Sequence, residues 1–314
     1  MSIFKLNLKF FTKLKTNIDR KLFVDNFTNQ LKQNMKRIYI SLVCLTISAF
    51  AFSQQTAKIK LVNGQKIVVE STTDIQASLT MGMELTSNST TVNALEVKGS
   101  NANNYMISSM LTKLKIATTM MGQASNYDSD NKTGNDEQMA KIFDDKLNKV
   151  VDVTVDNTTG VAVTEKKKII KDDTDETNPV ADLMKVFSDN ASDDAIVSGA
   201  FEVIPKGKSV GDSWADTTRE KDLKTIRTYT LKSISGNEAI IQSNIVSNAE
   251  SKMNFQGMDF AIKTETKTNG EIVADISTGL VKKNSAVADI TGTIPMMGQE
   301  MPISAKVTST SIYK

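Results

Sequence analysis

Few residues in this chain can do chemistry. The 314-residue sequence has no His and a single Cys, Cys44, which excludes serine triads, Cys–His dyads and His-ligated zinc. What remains for acid–base work is a set of carboxylates beside turns: Asp128, Asp130, Asp156, Asp212 and Asp275. Two of them flanking a glycosidic bond would make a hydrolase. Asp156 and Asp275, however, open the same pattern, Asp-x-x-Thr-Gly, at 156–160 and 275–279. An Asp ahead of a turn accepts hydrogen bonds from the turn's own backbone, so its recurrence is explained by turn formation alone. Tyr127-Asp128-Ser129-Asp130 begins like a calcium loop. Lys132, Thr133 and Met139 then stand where a ligand, a Gly and a bidentate Glu are needed, so a solvated loop is expected. Asp212 and Trp214 could stack a sugar, but a lone Trp after a bend more often anchors its strand in the core. No catalytic residue, metal ligand or cofactor is assigned, and the expectation is a protein that is not an enzyme.

The chain is organised around a recurring bend. Thr119-Met120-Met121-Gly122-Gln123, Asn254-Phe255-Gln256-Gly257-Met258 and Pro295-Met296-Met297-Gly298-Gln299 each set a Gly among Met or Phe between alternating apolar and polar runs. Thr80-Met81-Gly82-Met83 is a looser copy. Gly supplies the positive φ of a tight turn and the alternation supplies two strands, so each reads as a β-hairpin. Turn tips are normally polar. The apolar tips make Met81, Met120, Met121, Phe255, Met258, Met296, Met297 and Met301, with Trp214, the candidate surface for a ligand or partner.

Residues 35–53 read as a secretory signal: Lys36-Arg37, an apolar run from Ile38 to Phe50, and the small-x-small site Ala51-Phe52-Ser53, with cleavage near Ser53-Gln54. The run is too short to span a bilayer. Val43 before Cys44 fits lipoprotein processing poorly. Residues 1–34 read as a start placed too early, or as a basic extension. Residues 1–53 hold nine of the 38 Lys+Arg and two of the 36 Asp+Glu, leaving 29 positive against 34 negative charges in 54–314, a net of −5. Such a body offers no electrostatic footprint for nucleic acid. Export to the periplasm or cell surface is expected.

The remaining chain reads as mainly β. A first β unit is expected over 54–165, a connector with helices over 166–200, and a second β unit over 201–314. The units form a half-barrel or sandwich-like arrangement of long antiparallel strands with two or three short helices. Hairpins are expected at Asn63-Gly64 and at Ser235-Gly236-Asn237, and a tight turn at Asn269-Gly270. Helices are expected at 135–147, capped by Asn135 with Gln138, from Asn178-Pro179 through Phe187, and at 192–198. Strand, turn, strand, Met-Gly bend, strand and Asp-x-x-Thr-Gly recur in that order at 94–160 and 229–279, the mark of a two-copy architecture.

On these residues, together with Val210-Gly211-Asp212-Ser213-Trp214, the chain resembles a family of secreted Bacteroidota proteins known only as a domain of unknown function. The resemblance covers most of 66–314 and implies an exported, mostly antiparallel β protein with no assigned activity. The expected function is binding of a lipid or other apolar ligand on a concave β surface, for which adaptable Met side chains are suited. The alternative is a structural or protein-interaction module of the envelope, and a carboxylate hydrolase ranks below both.

Overall fold

A computed structural model describes residues 58–78, 82–164, 193–220, 222–255, 258–296 and 299–314. Twelve strands account for most of them: β1 (Lys66–Ser78), β2 (Glu84–Ser100), β3 (Asn104–Met120), β4 (Gln123–Asp128), β5 (Val150–Asp156), β6 (Ala162–Thr164), β7 (Ser213–Glu220), β8 (Leu223–Ser235), β9 (Glu238–Phe255), β10 (Met258–Asp275), β11 (Val281–Met296) and β12 (Gln299–Tyr313). Two short helices, α1 (Glu137–Phe143) and α2 (Asp193–Ser198), lie among them. The fold is mainly β, as the alternation dictates. It is a single open antiparallel sheet in the order β6-β5-β3-β2-β1-β12-β11-β10-β9-β8-β7, with β4 also on β3. The strands before residue 165 and those after 201 do not face one another as layers. They join edge to edge through β1 and β12, paired from Val69↔Tyr313 to Ser78↔Ser304.

The Met-Gly bends are hairpins. Met120 pairs with Gln123, and Met121 (φ 52°) and Gly122 (φ 77°) both take the positive angles of a type I′ turn. Phe255↔Met258 and Met296↔Gln299 close the other two. Because strand direction alternates, the bends of β1–β2, β3–β4, β9–β10 and β11–β12 line up along one end of the sheet. The 18-residue β10 pairs along β9, whereas β4 and β5, separated by α1, both pair along β3.

Four local expectations need correction. Asn63-Gly64 does not close a hairpin: only Gly64 has positive φ (81°), and Gln65 N donates to Val62 O, giving a turn whose geometry sends residues 58–62 away from β1. Asn269-Gly270 is no turn, since β10 runs through it unbroken. A Cβ on Gly270 would sit 2.7 Å from Ser243 Oγ and 3.0 Å from Ser285 O, so Gly is there for close approach. The cap of α1 is Asp136, which accepts from Gln138 N and Met139 N; Asn135 instead braces the strand, accepting from Asp128 N and donating to Asp128 O. The helix also stops at Phe143, although Leu147 still packs beside it. The helix expected through Phe187 lies outside the described residues.

Candidate functional site

Residues 67, 69, 71, 73, 75 and 77 of β1 share one face, and pairing register carries that face across the sheet. On β2 it takes Leu85, Ser87, Ser89, Thr91, Asn93, Leu95 and Val97; on β12, Met301, Ile303, Ala305, Val307, Ser309, Ser311 and Tyr313. On β10 it takes Ile262, three Thr at 264, 266 and 268, Gly270, Ile272 and Ala274. From β3 through β1 and β12 to β9, this inner face carries no charged side chain among the residues described there, and none of them is fully exposed. Among the described residues its charges come at the β7–β8 edge, where Asp216 and Arg227 neutralise each other at 3.0 Å. The opposite face holds Lys66, Glu70, Asp74, Lys263, Glu265 and Lys267. A strand of 18 residues spans about 60 Å, so this is a long surface.

Apolar packing concentrates at the two ends of the inner face. At the turn end, Ile59, Val197, Ala200 and Phe201 cover Val69, Leu95, Val97, Ile107, Val153 and Val155, while Ile204 covers Leu231, Ala239, Ile241 and Ile272. At the bend end, Ala77, Leu85, Ile262, Ile303 and Ala305 cluster with Met83, Met120 and Ile290. Between them the face is largely hydroxylic, and these groups satisfy one another: Ser71–Ser311 at 2.7 Å, Ser87–Thr118 at 2.9 Å and Thr225–Ser247 at 3.0 Å.

The candidate residues separate along these lines. Met120 and Met301 are half-buried on the inner face, whereas Met121 is 67% exposed at its turn. Phe255, Met258 and Met296 lie at strand ends of the same row of bends, and Met81 and Met297 fall outside the described residues. Trp214 is not with them. It stacks on Tyr229 (5.6 Å, 20°) and packs against the cluster around Ile204 and Leu231. Two hollows, of about 830 and 310 Å³, are lined by residues such as Lys224, Glu250 and Lys263, and Gln242, Asn269 and Glu271. Most of their lining belongs to the charged face, so neither is an apolar cavity.

Four of the five carboxylates are occupied by their own turns, and the fifth, Asp130, by Lys113. Asp156 Oδ1 accepts from the backbone and hydroxyl groups of Thr158 and Thr159. Asp275 Oδ1 does the same with Ser277 and Thr278. The two turns match further: Gly160 N and Gly279 N donate to Asp156 O and Asp275 O, at φ 75° and 76°. Together they clasp one segment, Ile59 N bonding Asn157 O at 2.8 Å and Lys60 N bonding Thr278 O at 2.9 Å. The donors of Thr158 hold the Asp156 carboxyl below its usual range. At Asp275 burial pulls upward, the largest single effect, but the Ser277 and Thr278 donors together outweigh it. Asp128 accepts from Asp130 N and Asn131 N, Asp130 pairs with Lys113 at 2.8 Å, and Asp212 accepts from Ser209 N. Among the described residues, no three His, Cys, Asp or Glu side chains are grouped to hold a metal. Asp275→Ala is expected to lower stability by about 1–2 kcal/mol in urea titration. With Asp156 and Asp275 both depressed, their contribution is present at neutral pH and lost as pH falls through their folded pKa values.

Two polar residues withdrawn from solvent, Glu202 and Asn93, carry no turn signal in the sequence. Glu202 is half-buried near Asp216 and Tyr229; burial first, then the like charge of Asp216, push its carboxyl up to about 8. Asn93 is 1% exposed, and neither side-chain polar atom has a hydrogen-bond partner. Its one sequence signal is an amide at an inward position between Thr91 and Leu95.

No curated protein matches the chain. Among solved structures, one described as lipid–protein interactions in lipovitellin is similar at TM-score 0.43 and 11% identity, over 81% of this chain and 25% of that one. The chain thus spans about a quarter of lipovitellin's length. An outer membrane channel from Pseudomonas putida F1 matches at TM-score 0.24 and 8% identity, over 82% of this chain and 97% of that one. The translocator domain of autotransporter NalP from Neisseria meningitidis matches at 0.20 and 6%, over 90% and 97%. Similarity of this degree assigns neither ligand nor activity. One family profile matches residues 102–281, more than half of the chain and inclusive of both Asp-x-x-Thr-Gly turns, and the chain therefore belongs to the Family of unknown function (DUF6263).

Proposed function

We propose that this protein is a non-catalytic component of the cell envelope that holds a lipid along the inner face of its sheet. The observation supporting this reading is the charge segregation: among the described residues the inner face has no ionic group from β3 through β9, while the outer face is rich in them. A long uncharged surface accepts acyl chains without desolvating charge, and the Met side chains at its bend end adapt to irregular contacts. Export follows in this reading from the leader at 35–53, with a mature chain beginning near Gln54 and β units over 54–165 and 201–314. The turn-bound carboxylates and the absence of His favour binding over catalysis.

A second reading is a protein-interaction module. It is favoured by the row of bends on which Met121 stands exposed. Native mass spectrometry of the full-length gene product purified from its own envelope separates the two. Lipid adducts are expected, and Thr266→Lys, which places a charge mid-face, is expected to cut bound lipid at least tenfold. Lipid-free protein that binds no apolar dye defeats the lipid reading, and a stoichiometric protein partner in its place supports the second.

A further inference from the structure

We infer that the row of apolar bends docks the protein on the surface of a neutral lipid bilayer, from which the inner face takes its lipid. The second half of this inference rests on the lipid-binding reading above; the docking itself stands on different residues.

The bend at Met121-Gly122 holds the first observation. A two-residue turn with both central residues at positive φ favours Asn, Asp or Gly at the first of them. Among the described residues, the non-glycine positions with positive φ are Asn148 and Met121. Met, unlike Asn, has no short polar group to bond locally in that conformation. Packing does not compensate, because Met121 is 67% exposed. A side chain that suits neither its backbone nor water is explained by something outside the chain that covers it. The other three bends repeat the choice in sequence, with Met81 and Met83 about Gly82, Phe255 and Met258 about Gly257, and Met296 and Met297 about Gly298.

Arrangement and charge select a bilayer. At this end the strands run β4-β3-β2-β1-β12-β11-β10-β9, so neighbouring bends stand two strand spacings apart, about 10 Å, in a line of about 30 Å. A stable protein interface needs a contiguous patch of roughly 800 Å² on each partner. A line of separate tips, flanked by the exposed Gln123 and Gln299, suits a fluid surface that closes around each one. No Lys or Arg lies within three residues of any of the four glycines, and Glu84, Asp259 and Glu300 each lie two residues after one of them. Anionic headgroups would gain nothing there, so the surface is a neutral one. The tips also adjoin the inner face: Met83 and Met120 pack with Leu85, Ile262 and Ile303 at its bend end.

The test is co-sedimentation of the gene product, purified from its own envelope, with phosphatidylcholine vesicles made with and without phosphatidylglycerol. The wild type is expected to pellet with the neutral vesicles and to gain nothing from the anionic lipid. Met121→Asn, which suits the turn, is expected to melt at or above the wild-type temperature yet bind vesicles at least threefold more weakly. Adding Met297→Asn is expected to bring the loss to at least tenfold. Met121→Gly serves if the Asn variant does not fold. Wild type that stays in solution, pelleting that needs the anionic lipid, or binding unchanged by these substitutions overturns the docking. So does a stoichiometric protein partner that Met121→Asn releases while vesicle binding persists, since the bends then belong to that partner. The lipid-binding reading fails separately: wild type that carries no lipid adduct and still pellets defeats that reading and leaves the docking in place.

Discussion

Glu202→Gln is expected to make the protein more stable at pH 8–9 and to flatten its loss of stability with rising pH. Glu202 lies in the segment after α2 that closes the turn end of the sheet: its N–H bonds Gly279 O at 2.9 Å, and the neighbouring Phe201 bridges to Leu280. Its side chain feels the charge of Asp216 and lies near Tyr229, and Arg227 of β8 is already paired with Asp216 at 3.0 Å. A folded pKa of about 8 against an ordinary 4.5 means that the folded state binds the proton more tightly than the unfolded chain. The contribution of the neutral acid is therefore fully present below pH 4.5, declines through neutrality and is gone above about pH 8. At about 1.4 kcal/mol per pH unit the full effect has an upper bound of about 5 kcal/mol; water reaching a half-buried carboxyl reduces this to about 2–3 kcal/mol. Urea titrations of the wild type and Glu202→Gln at pH 5, 7 and 9 give the difference directly. Parallel stability–pH profiles for the two proteins would refute the assignment.

Gly292→Ala is expected to destabilise by about 3 kcal/mol, far more than a surface Gly→Ala change. A Cβ at Gly292 would lie 2.5 Å from the Lys263 carbonyl, 3.0 Å from Thr264 Cγ2 and 3.2 Å from Ile303 Cγ1. The first of these is backbone in a paired strand, Gly292 itself being opposite Thr264, so relief requires β10 and β11 to separate locally. Gly292 has an ordinary φ, and the cost is purely one of space. Gly236, with positive φ and nothing within 4 Å, is the contrast: Ala there is strained by conformation alone. Thermal melts of the two variants test the difference, and a Gly292→Ala protein that melts with the wild type would show that the strands open at little cost.

Features that depend on a few neighbouring residues follow from the sequence directly. Two-fold alternation makes strands, Met121-Gly122 takes the paired positive angles of a two-residue turn, and each Asp-x-x-Thr-Gly carboxylate caps its own turn, because donor and acceptor lie within four residues. The missing His and the family-level likeness are likewise legible without coordinates.

The remaining features depend on strand order. Asn269-Gly270 has the composition of a turn, yet Ser243 and Ser285 on the flanking strands demand a Gly in mid-strand. Asn135 has the composition of a cap, yet Asp128 claims its amide and Asp136 takes the role. The same holds for the candidate site. The Met bends converge on one sheet end only because β1 pairs with β12, some 240 residues away in sequence, as Ser71 meets Ser311. The isolation of Asn93 and the weakened acidity of Glu202 arise from side chains that strand pairing and the segment after α2 bring alongside, not from their neighbours in sequence.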